Sequence, residues 1–193
     1  VKIGVLATRG PAQCLKTWGA TAEHLAQHIP GKTFIIVPLA HDKIASSVRQ
    51  GEVDFILSNS SFYVELEQLY GINRLATLKE MRLGRAYSKY GSVIFSHAAR
   101  NDVRNFYDLK GKSFMGVSED SLGGWRMAWR ELKEQGIDPV KDFRSLYFGE
   151  THDSVVYAVR DGVVDAGTVR TNTLEEMSAE GKIDLNDFLV FPR

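Results

Sequence analysis

Apolar runs and helically spaced stretches alternate along the first part of the chain. Three runs of apolar and β-branched residues predict buried strands, at Lys2–Ala7, Thr33–Val37 and Val53–Leu57. The stretch after each run has apolar residues at helical spacing, which predicts helices at Ala12–His28, Asp42–Gln50 and Phe62–Leu69. Because the connections are short, this alternation indicates a parallel sheet with helices packed against it.

The pattern begins again after a polar segment, Arg82–Gly91, which is the one candidate for a linker. Five further strands are predicted, at Ser92–Ser96, Ser113–Val117, Arg144–Phe148, Val164–Thr168 and Asp187–Phe191. Three further helices are predicted, at Gly124–Gln135, Asp153–Arg160 and Thr173–Glu180. The sequence therefore predicts an α/β fold of two doubly wound lobes joined by a hinge, with lobe one at 1–88 and lobe two at 89–193.

An internal echo indicates that the two halves are related. Val48–Ile56 reads VRQGEVDFI and Val159–Gly167 reads VRDGVVDAG, with Val-Arg, Gly, Val and Asp in the same register. Both phrases lie where a helix is predicted to end and a strand to begin. Two such lobes facing each other would form a ligand-binding crevice at their interface.

Open parallel sheets bind ligands beyond the carboxyl ends of their strands. In lobe one the loops at these ends are Thr8–Pro11, Leu39–His41 and Asn59–Ser61. In lobe two they are Ser118–Gly124, Gly149–Asp153 and Thr168–Thr171. We expect each set of three loops to share one edge of its sheet.

Charge and residue counts narrow the function classes. Lys plus Arg number 24 and Asp plus Glu number 24, so the chain lacks the overall basic charge that would indicate a nucleic-acid partner. The five histidines and the single cysteine, Cys14, show no metal-ligand spacing, and no metal or other cofactor is predicted. Cys14 falls in a predicted helix, where we expect it to be a small buried side chain. Neither a P-loop nor a nucleophile elbow is present, so no catalytic residue is predicted.

Four phrases of the second half carry a family resemblance. Asp108–Lys112 (DLKGK), Gly136–Phe143 (GIDPVKDF), Gly149–Val155 (GETHDSV) and Gly162–Gly167 (GVVDAG) resemble the phosphate/phosphonate-type periplasmic binding proteins in order and spacing. The first half fits the same pattern. The resemblance implies a type II periplasmic-binding-protein (venus-flytrap) fold that closes over a small anionic ligand in the interlobe cleft.

A narrower resemblance concerns Asn59–Glu67, Arg74–Leu78, Ser121–Leu132 and Thr168–Leu174. These phrases are similar to the periplasmic sensor domains of bacterial two-component histidine kinases, including those that sense tetrathionate. The resemblance implies a periplasmic sensing domain whose parent chain carries a membrane helix and a kinase region, with a homodimer left open. One alternative is a soluble component that delivers a phosphate- or phosphonate-like anion to an ABC transporter. Another is a cofactor-free enzyme of the same architecture.

The family pattern and the loop positions together give a set of candidate ligand contacts. They are Arg9, His41, Asn59, Ser60, Ser61, Tyr63 and Tyr87 in lobe one, and Ser121, Gly123, Gly124, Trp125, His152, Thr168, Arg170 and Thr171 in lobe two. His152 matches a histidine that contacts the anion in the related binders. Leu122 and Gly123 stand where phosphonate binders carry hydroxyls. Arg170 stands where aminophosphonate binders carry a carboxylate, which favours an anion without an amine.

Two further expectations concern packing and the chain end. Trp125 and Trp129 lie four residues apart, as on one packed face of a helix, and Trp129 is predicted to be a core residue. Proteins of this family return to lobe one after the last strand of lobe two. That return is expected to begin at Phe191–Arg193, so lobe one is expected to be incomplete.

Overall fold

The computed structural model describes residues 1–82 and 85–191, without the side chain of Arg82. The chain forms two compact units, Val1–Ala76 and Thr77–Arg193, each organised around its own sheet. The expected return toward lobe one falls at Pro192 and Arg193, which lie outside the described residues.

The first unit is a three-stranded parallel sheet in the order β2-β1-β3. Its strands are β1 (Lys2–Leu6), β2 (Ile35–Leu39) and β3 (Phe55–Leu57). Its helices are α1 (Pro11–His28), α2 (Ile44–Arg49) and α3 (Ser60–Tyr70), with a 3₁₀ turn, His41–Lys43, before α2. The parallel alternation predicted from the sequence is confirmed for this unit.

Neighbouring residues of β1 face opposite sides of this sheet, as the two-residue period of a strand requires. Val5 packs with Cys14 and Ala22 of α1, whereas Leu6 packs with residues of α2 and α3, among them Ile44 and Phe62. Helices therefore cover both faces, which is the doubly wound arrangement. Cys14 is buried, as expected, and burial raises the pKa of its thiol.

The second unit is a five-stranded sheet in the order β10-β6-β9-β7-β8. Its strands are β6 (Ser92–His97), β7 (Ser113–Gly116), β8 (Ser145–Phe148), β9 (Ala166–Arg170) and β10 (Phe188–Val190). Its helices are α4 (Met127–Glu134), α5 (Pro139–Asp142), α6 (His152–Arg160) and α7 (Thr173–Ala179). Since β6 pairs antiparallel with both β9 and β10, the sheet is mixed, with β6 as its one reversed strand.

The predicted linker, Arg82–Gly91, is not an extended connection along its whole length. Two strands of this region, β4 (Glu80–Arg82) and β5 (Arg85–Tyr87), pair antiparallel, and we call this pair of strands the hairpin. Nothing in the sequence indicates this hairpin, because it contributes little to a core: Met81 is 69% exposed. Each of the two strands has three residues, which is too short for a recognisable alternation of apolar and polar positions.

The prediction that Trp129 is a core residue is wrong, since its side chain is 44% exposed. A π-helical turn, Leu122–Arg126, precedes α4. A π turn holds more residues than an α turn, so Trp125 and Trp129 no longer share a face. The face of α4 turned to the core carries Ala128 and Leu132 instead, both fully buried.

The internal echo has a structural counterpart, which supports the relation between the halves. In the first unit, the backbone N–H of Lys2 donates to Oδ2 of Asp54 at 2.7 Å. In the second, the N–H of Ser113 donates to Oδ2 of Asp165 at 2.8 Å. Each aspartate lies just before its own strand and binds the first residue of the neighbouring parallel strand.

Asp165 is further held by two arginines. Nη1 of Arg100 lies 2.6 Å from Oδ1, and Nη2 of Arg144 lies 3.1 Å from Oδ2. Burial alone would raise the pKa of Asp165, but hydrogen bonds from Ser113 and Arg100 outweigh it, and the pKa lies below its ordinary value.

We expect Asp165→Asn to lower the free energy of unfolding by about 1–3 kcal/mol at pH 7, because it removes the partly buried carboxylate that pairs with Arg100. Urea unfolding measures this loss. Because the folded-state pKa is depressed, the loss should persist down to about pH 4 and shrink as pH falls further, where the wild-type carboxylate protonates. Asp54→Asn, at the equivalent but exposed position, is the control and should cost less. Equal costs for both variants would contradict this account.

Candidate functional site

The three candidate loops of the first unit lie at one edge of its sheet, as predicted. They follow β1, β2 and β3, whose parallel pairing places all three carboxyl ends at the same side. Arg9 lies in the turn between β1 and α1, and His41 is the buried first residue of the 3₁₀ turn after β2. The ring of His41 lies 6.1 Å from the ring of Phe62, centroid to centroid.

The loop after β3 forms the start of α3. The side-chain oxygen of Asn59 accepts hydrogen bonds from the N–H groups of Ser61 and Phe62, at 2.9 and 3.1 Å, and so caps the helix. Ser60 is the exposed first residue of α3. The hydroxyl of Tyr63 donates to the carboxylate of Glu67, and this hydrogen bond raises the pKa of the phenol.

The three candidate loops of the second unit also share one edge. The strands that they follow, β7, β8 and β9, are parallel to one another. The amino end of the reversed strand β6 reaches the same edge, where Ser92 pairs with Arg170. The segment before β6, with Tyr90 and Gly91, is therefore brought to the ends of the other strands.

Arg170 is the centre of this edge. Its guanidinium carbon lies 5.5 Å from the ring centroid of Tyr90, a distance typical of a cation–π contact. A Cβ added to Gly123 would lie 2.9 Å from Cγ of Arg170 and 3.0 Å from the Tyr90 ring. Because glycine has no Cβ, the backbone at Gly123 can approach both side chains closely. The structure thus brings together two predicted contacts, Arg170 and Gly123, that are 47 positions apart in the sequence.

His152 joins the same group through the backbone of Arg170. The N–H of Arg170 donates to Nδ1 of His152 at 3.3 Å, and the imidazole is only 3% exposed. Since Nδ1 accepts this hydrogen bond, the proton of the neutral ring resides on Nε2. His152 therefore offers an N–H donor at the first residue of α6, where the helix dipole favours a negative charge.

The loop after β7 is held in shape by Ser121 and Gly124. The hydroxyl of Ser121 accepts a hydrogen bond from the N–H of Gly124 at 3.1 Å and caps the π-helical turn. A Cβ on Gly124 would lie 2.4 Å from Cγ2 of Val117, so only glycine fits there. Single π turns occur frequently at functional sites, because they turn backbone groups away from regular pairing.

Four more of the predicted ligand contacts are described by their neighbours in the structure. Trp125 is 7% exposed and packs between Phe114 and Phe148, which favours a role in the core. Thr168 is fully buried, and its hydroxyl donates to the carbonyl of Val93 at 3.0 Å. The other two, Thr171 and Tyr87, line a groove of about 560 Å³ beside the amino end of β6, together with Tyr90, Met127 and Glu131. A ligand contact by any of the four stays a prediction.

Sequence reasoning missed two features of this edge. Glu150 and Asn172 are the two non-glycine residues with left-handed backbone in the described part of the chain, at φ of 63° and 76°. Such residues are uncommon and often lie at functional sites. Glu150 lies in the candidate loop Gly149–Asp153, and Asn172 directly follows the candidate loop Thr168–Thr171. No single-sequence signal distinguishes them from ordinary loop residues.

The second missed feature is the carboxylate of Glu80. Its Oε1 accepts a hydrogen bond from Nη1 of Arg170 at 2.8 Å. Glu80 begins β4, in the hairpin that the sequence analysis did not predict. A hairpin prediction would have been the signal needed to place Glu80 near this edge.

Within 1–82 and 85–191, no three His, Cys, Asp or Glu side chains come together as metal ligands would. Among the helices of this same part, none is both long and apolar enough to cross a bilayer.

Solved structures with the same fold include two proteins connected with phosphonates. PhnD1 from Prochlorococcus marinus, in complex with methylphosphonate, superposes with a TM-score of 0.84 at 17% identity, covering 100% of this chain and 71% of that protein. The binding component of an ABC phosphonate transporter from Pseudomonas aeruginosa gives 0.82, also at 17% identity, over 100% and 64%. Together with an ancestral arginine-binding protein at 0.60, these neighbours show the type II periplasmic-binding-protein fold. The fold predicted from the sequence is confirmed.

Comparison of sequences shows a relative with a higher identity to this chain than the solved structures have, and it also shows the family. The chain is 34% identical over 188 residues to the tetrathionate sensor histidine kinase TtrS of Salmonella typhimurium. The match covers 97% of this chain but 32% of the kinase, so the chain spans about a third of that relative. The family of periplasmic substrate-binding proteins of phosphonate ABC transporters matches residues 3–192. The chain belongs to this periplasmic phosphonate-binding family, whose members bind solutes and are not enzymes.

Proposed function

We propose that this chain is the ligand-sensing domain of a two-component sensor histidine kinase and binds a small anion in the periplasm. The observation that carries the proposal is the group formed by Arg170, His152 and Gly123 at the carboxyl edge of the second sheet. The similarity to TtrS over almost the whole chain supports the sensor role.

The group has the chemistry that an oxyanion needs. Arg170 supplies a planar fork of donors, which suits the paired oxygens of sulfonate, phosphate or carboxylate. His152 supplies an N–H at the start of α6, and the glycines of the π-helical turn let backbone N–H groups approach a ligand. All three contributions favour negative charge, and none of them favours a cation.

The choice among anions rests on two departures from the phosphonate binders. Leu122 and Gly123 supply no hydroxyls to a phosphonate, and Arg170 would repel an ammonium group. TtrS is a tetrathionate sensor, and the structure of PhnD1 contains methylphosphonate. We therefore favour an anion without an amine, with sulfur oxyanions first among the candidates.

A transporter component is the second candidate, because the family is named for such proteins. The two candidates differ in what the parent chain contains. A kinase region and a membrane anchor in the same open reading frame mean a sensor, and neighbouring permease genes mean a transporter. The closing of two lobes about a hinge and a homodimer stay predictions for either case.

Calorimetry tests the proposal directly. We expect tetrathionate, thiosulfate, sulfate, phosphate or methylphosphonate to bind the 193-residue chain and to raise its unfolding temperature. At a free concentration 100 times the Kd, the stabilisation should be about 2.7 kcal/mol. Aminomethylphosphonate is the matched comparison for methylphosphonate, because it adds only an ammonium group. Binding of this compound alone would contradict the assignment of Arg170, and binding of none of the anions would overturn the proposed function.

A further inference from the structure

Glu80 and Arg170 form an ion pair at the edge of the candidate anion site. Oε1 of Glu80 lies 2.8 Å from Nη1 of Arg170, and the two side chains are 28% and 24% exposed. The pair is therefore partly shielded from water. A carboxylate presents an arginine with the same chemistry as an oxyanion ligand, namely negatively charged oxygens that accept from its N–H groups.

We propose that Glu80 is an internal competitor for the ligand: it neutralises Arg170 in the absence of an anion and so sets the affinity of the site. This inference rests on the proposed function. An anion that binds Arg170 must replace the carboxylate at the guanidinium, and its apparent affinity is lowered by the strength of the internal pair.

The alternative role for Glu80 is to position Arg170, and the surroundings of the arginine argue against it. Its backbone N–H is bonded to His152, its Cγ packs against Gly123, and its guanidinium lies near the Tyr90 ring. These contacts come from α6, from the π-helical turn and from the segment before β6, and they orient Arg170 without Glu80.

The hairpin that carries Glu80 is exposed elsewhere. Met81 is 69% exposed and Tyr87 is 44% exposed. The ion pair is therefore a contact that the hairpin can exchange without uncovering a core.

This competition lowers the affinity for every anion by a similar factor, so only anions with a high intrinsic affinity for the site stay bound at a given concentration. A monovalent anion such as acetate offers Arg170 nothing that the carboxylate of Glu80 does not already supply. A divalent anion such as sulfate brings additional charge and gains more from His152 and the start of α6.

The test compares the wild type with Glu80→Gln, using sulfate, methylphosphonate, tetrathionate and acetate as probes in calorimetry. Glutamine keeps the shape of the side chain and removes its charge. We expect the Kd of each bound anion to fall about 2- to 5-fold, the range for loss of a partly exposed ion pair. Glu80→Asp keeps the charge on a shorter side chain and should give an intermediate Kd.

Two controls separate competition from a general change of charge. Glu134→Gln removes a carboxylate that pairs with Arg130 at 2.8 Å on α4, and it should leave every Kd unchanged. In an Arg170→Gln background, Glu80→Gln should have no effect, because the shared guanidinium is gone. A gain in affinity that persisted in this background would overturn the inference, since it would reflect the field of the charge alone.

The outcomes distinguish this inference from the proposed function. In one outcome the wild type binds an anion, and Glu80→Gln, whose thermal transition shows that it is folded, binds the same anion equally or more weakly. Glu80 is then no competitor, and the proposed function stands. If neither protein binds any probe, both are overturned. Tighter binding by Glu80→Gln supports both.

Discussion

Arg170→Gln is expected to weaken anion binding about 10- to 100-fold. The arginine would donate charge-assisted hydrogen bonds to the ligand, and each such bond contributes about 1.5–3 kcal/mol. Glutamine retains a donor but has neither the charge nor the fork. The Kd for the tightest-binding anion of the calorimetric panel measures the effect.

Arg130→Gln is the matched control for this variant. Arg130 is also in the second unit, its side chain is 79% exposed, and its partner is Glu134 on the same helix. We expect its Kd to equal that of the wild type. An Arg170→Gln protein that is folded and binds the anion within twofold of the wild type would refute the assignment of Arg170.

Gly124→Ala is expected to destabilise the protein by about 1–3 kcal/mol and to disturb anion binding. The added Cβ would lie 2.4 Å from Cγ2 and 2.6 Å from Cβ of Val117, a fully buried residue that cannot move aside. The π-helical turn at the end of the candidate loop Ser118–Gly124 would have to shift. Urea unfolding measures the stability and calorimetry the binding.

Gly19→Ala provides the control for a glycine that meets no such obstacle. Gly19 lies inside α1, and an added Cβ would find no atom within 4 Å. Alanine is the better helix former, so this variant should be more stable than the wild type by up to about 1 kcal/mol. If both variants behaved alike, the close approach of Gly124 to Val117 would not be the cause.

The parts of the fold that bury apolar residues could be predicted from the sequence. The strand before Arg9, the helix with Cys14 and the helix–turn–strand echo all followed from periodicity and turn residues, because burial imposes those patterns. The hairpin of Glu80 could not be predicted, since two strands of three residues each are too short for a recognisable pattern. The π turn was also missed, and it reversed the expected burial of Trp129.

The residues of the candidate site could be predicted from the sequence better than their geometry could. Loop positions and family resemblance pointed to Arg170, His152 and Gly123, which the structure brings together. The Glu80 contact depends on side chains 90 positions apart and on a strand pairing without a sequence signal. The left-handed backbone at Glu150 and Asn172 depends on the closure of loops between strands, which a single sequence does not specify.

The two charged clusters of the second unit lie at opposite ends of one strand. Asp165 and its arginines hold the amino end of β9, and Arg170 ends the same strand five residues later, which is about 17 Å. If the proposed function holds, one end of this strand stabilises the sheet and the other contacts the ligand. Substitutions in the ligand loops could then change the preferred anion over evolutionary time without weakening the ion pairs that hold the sheet.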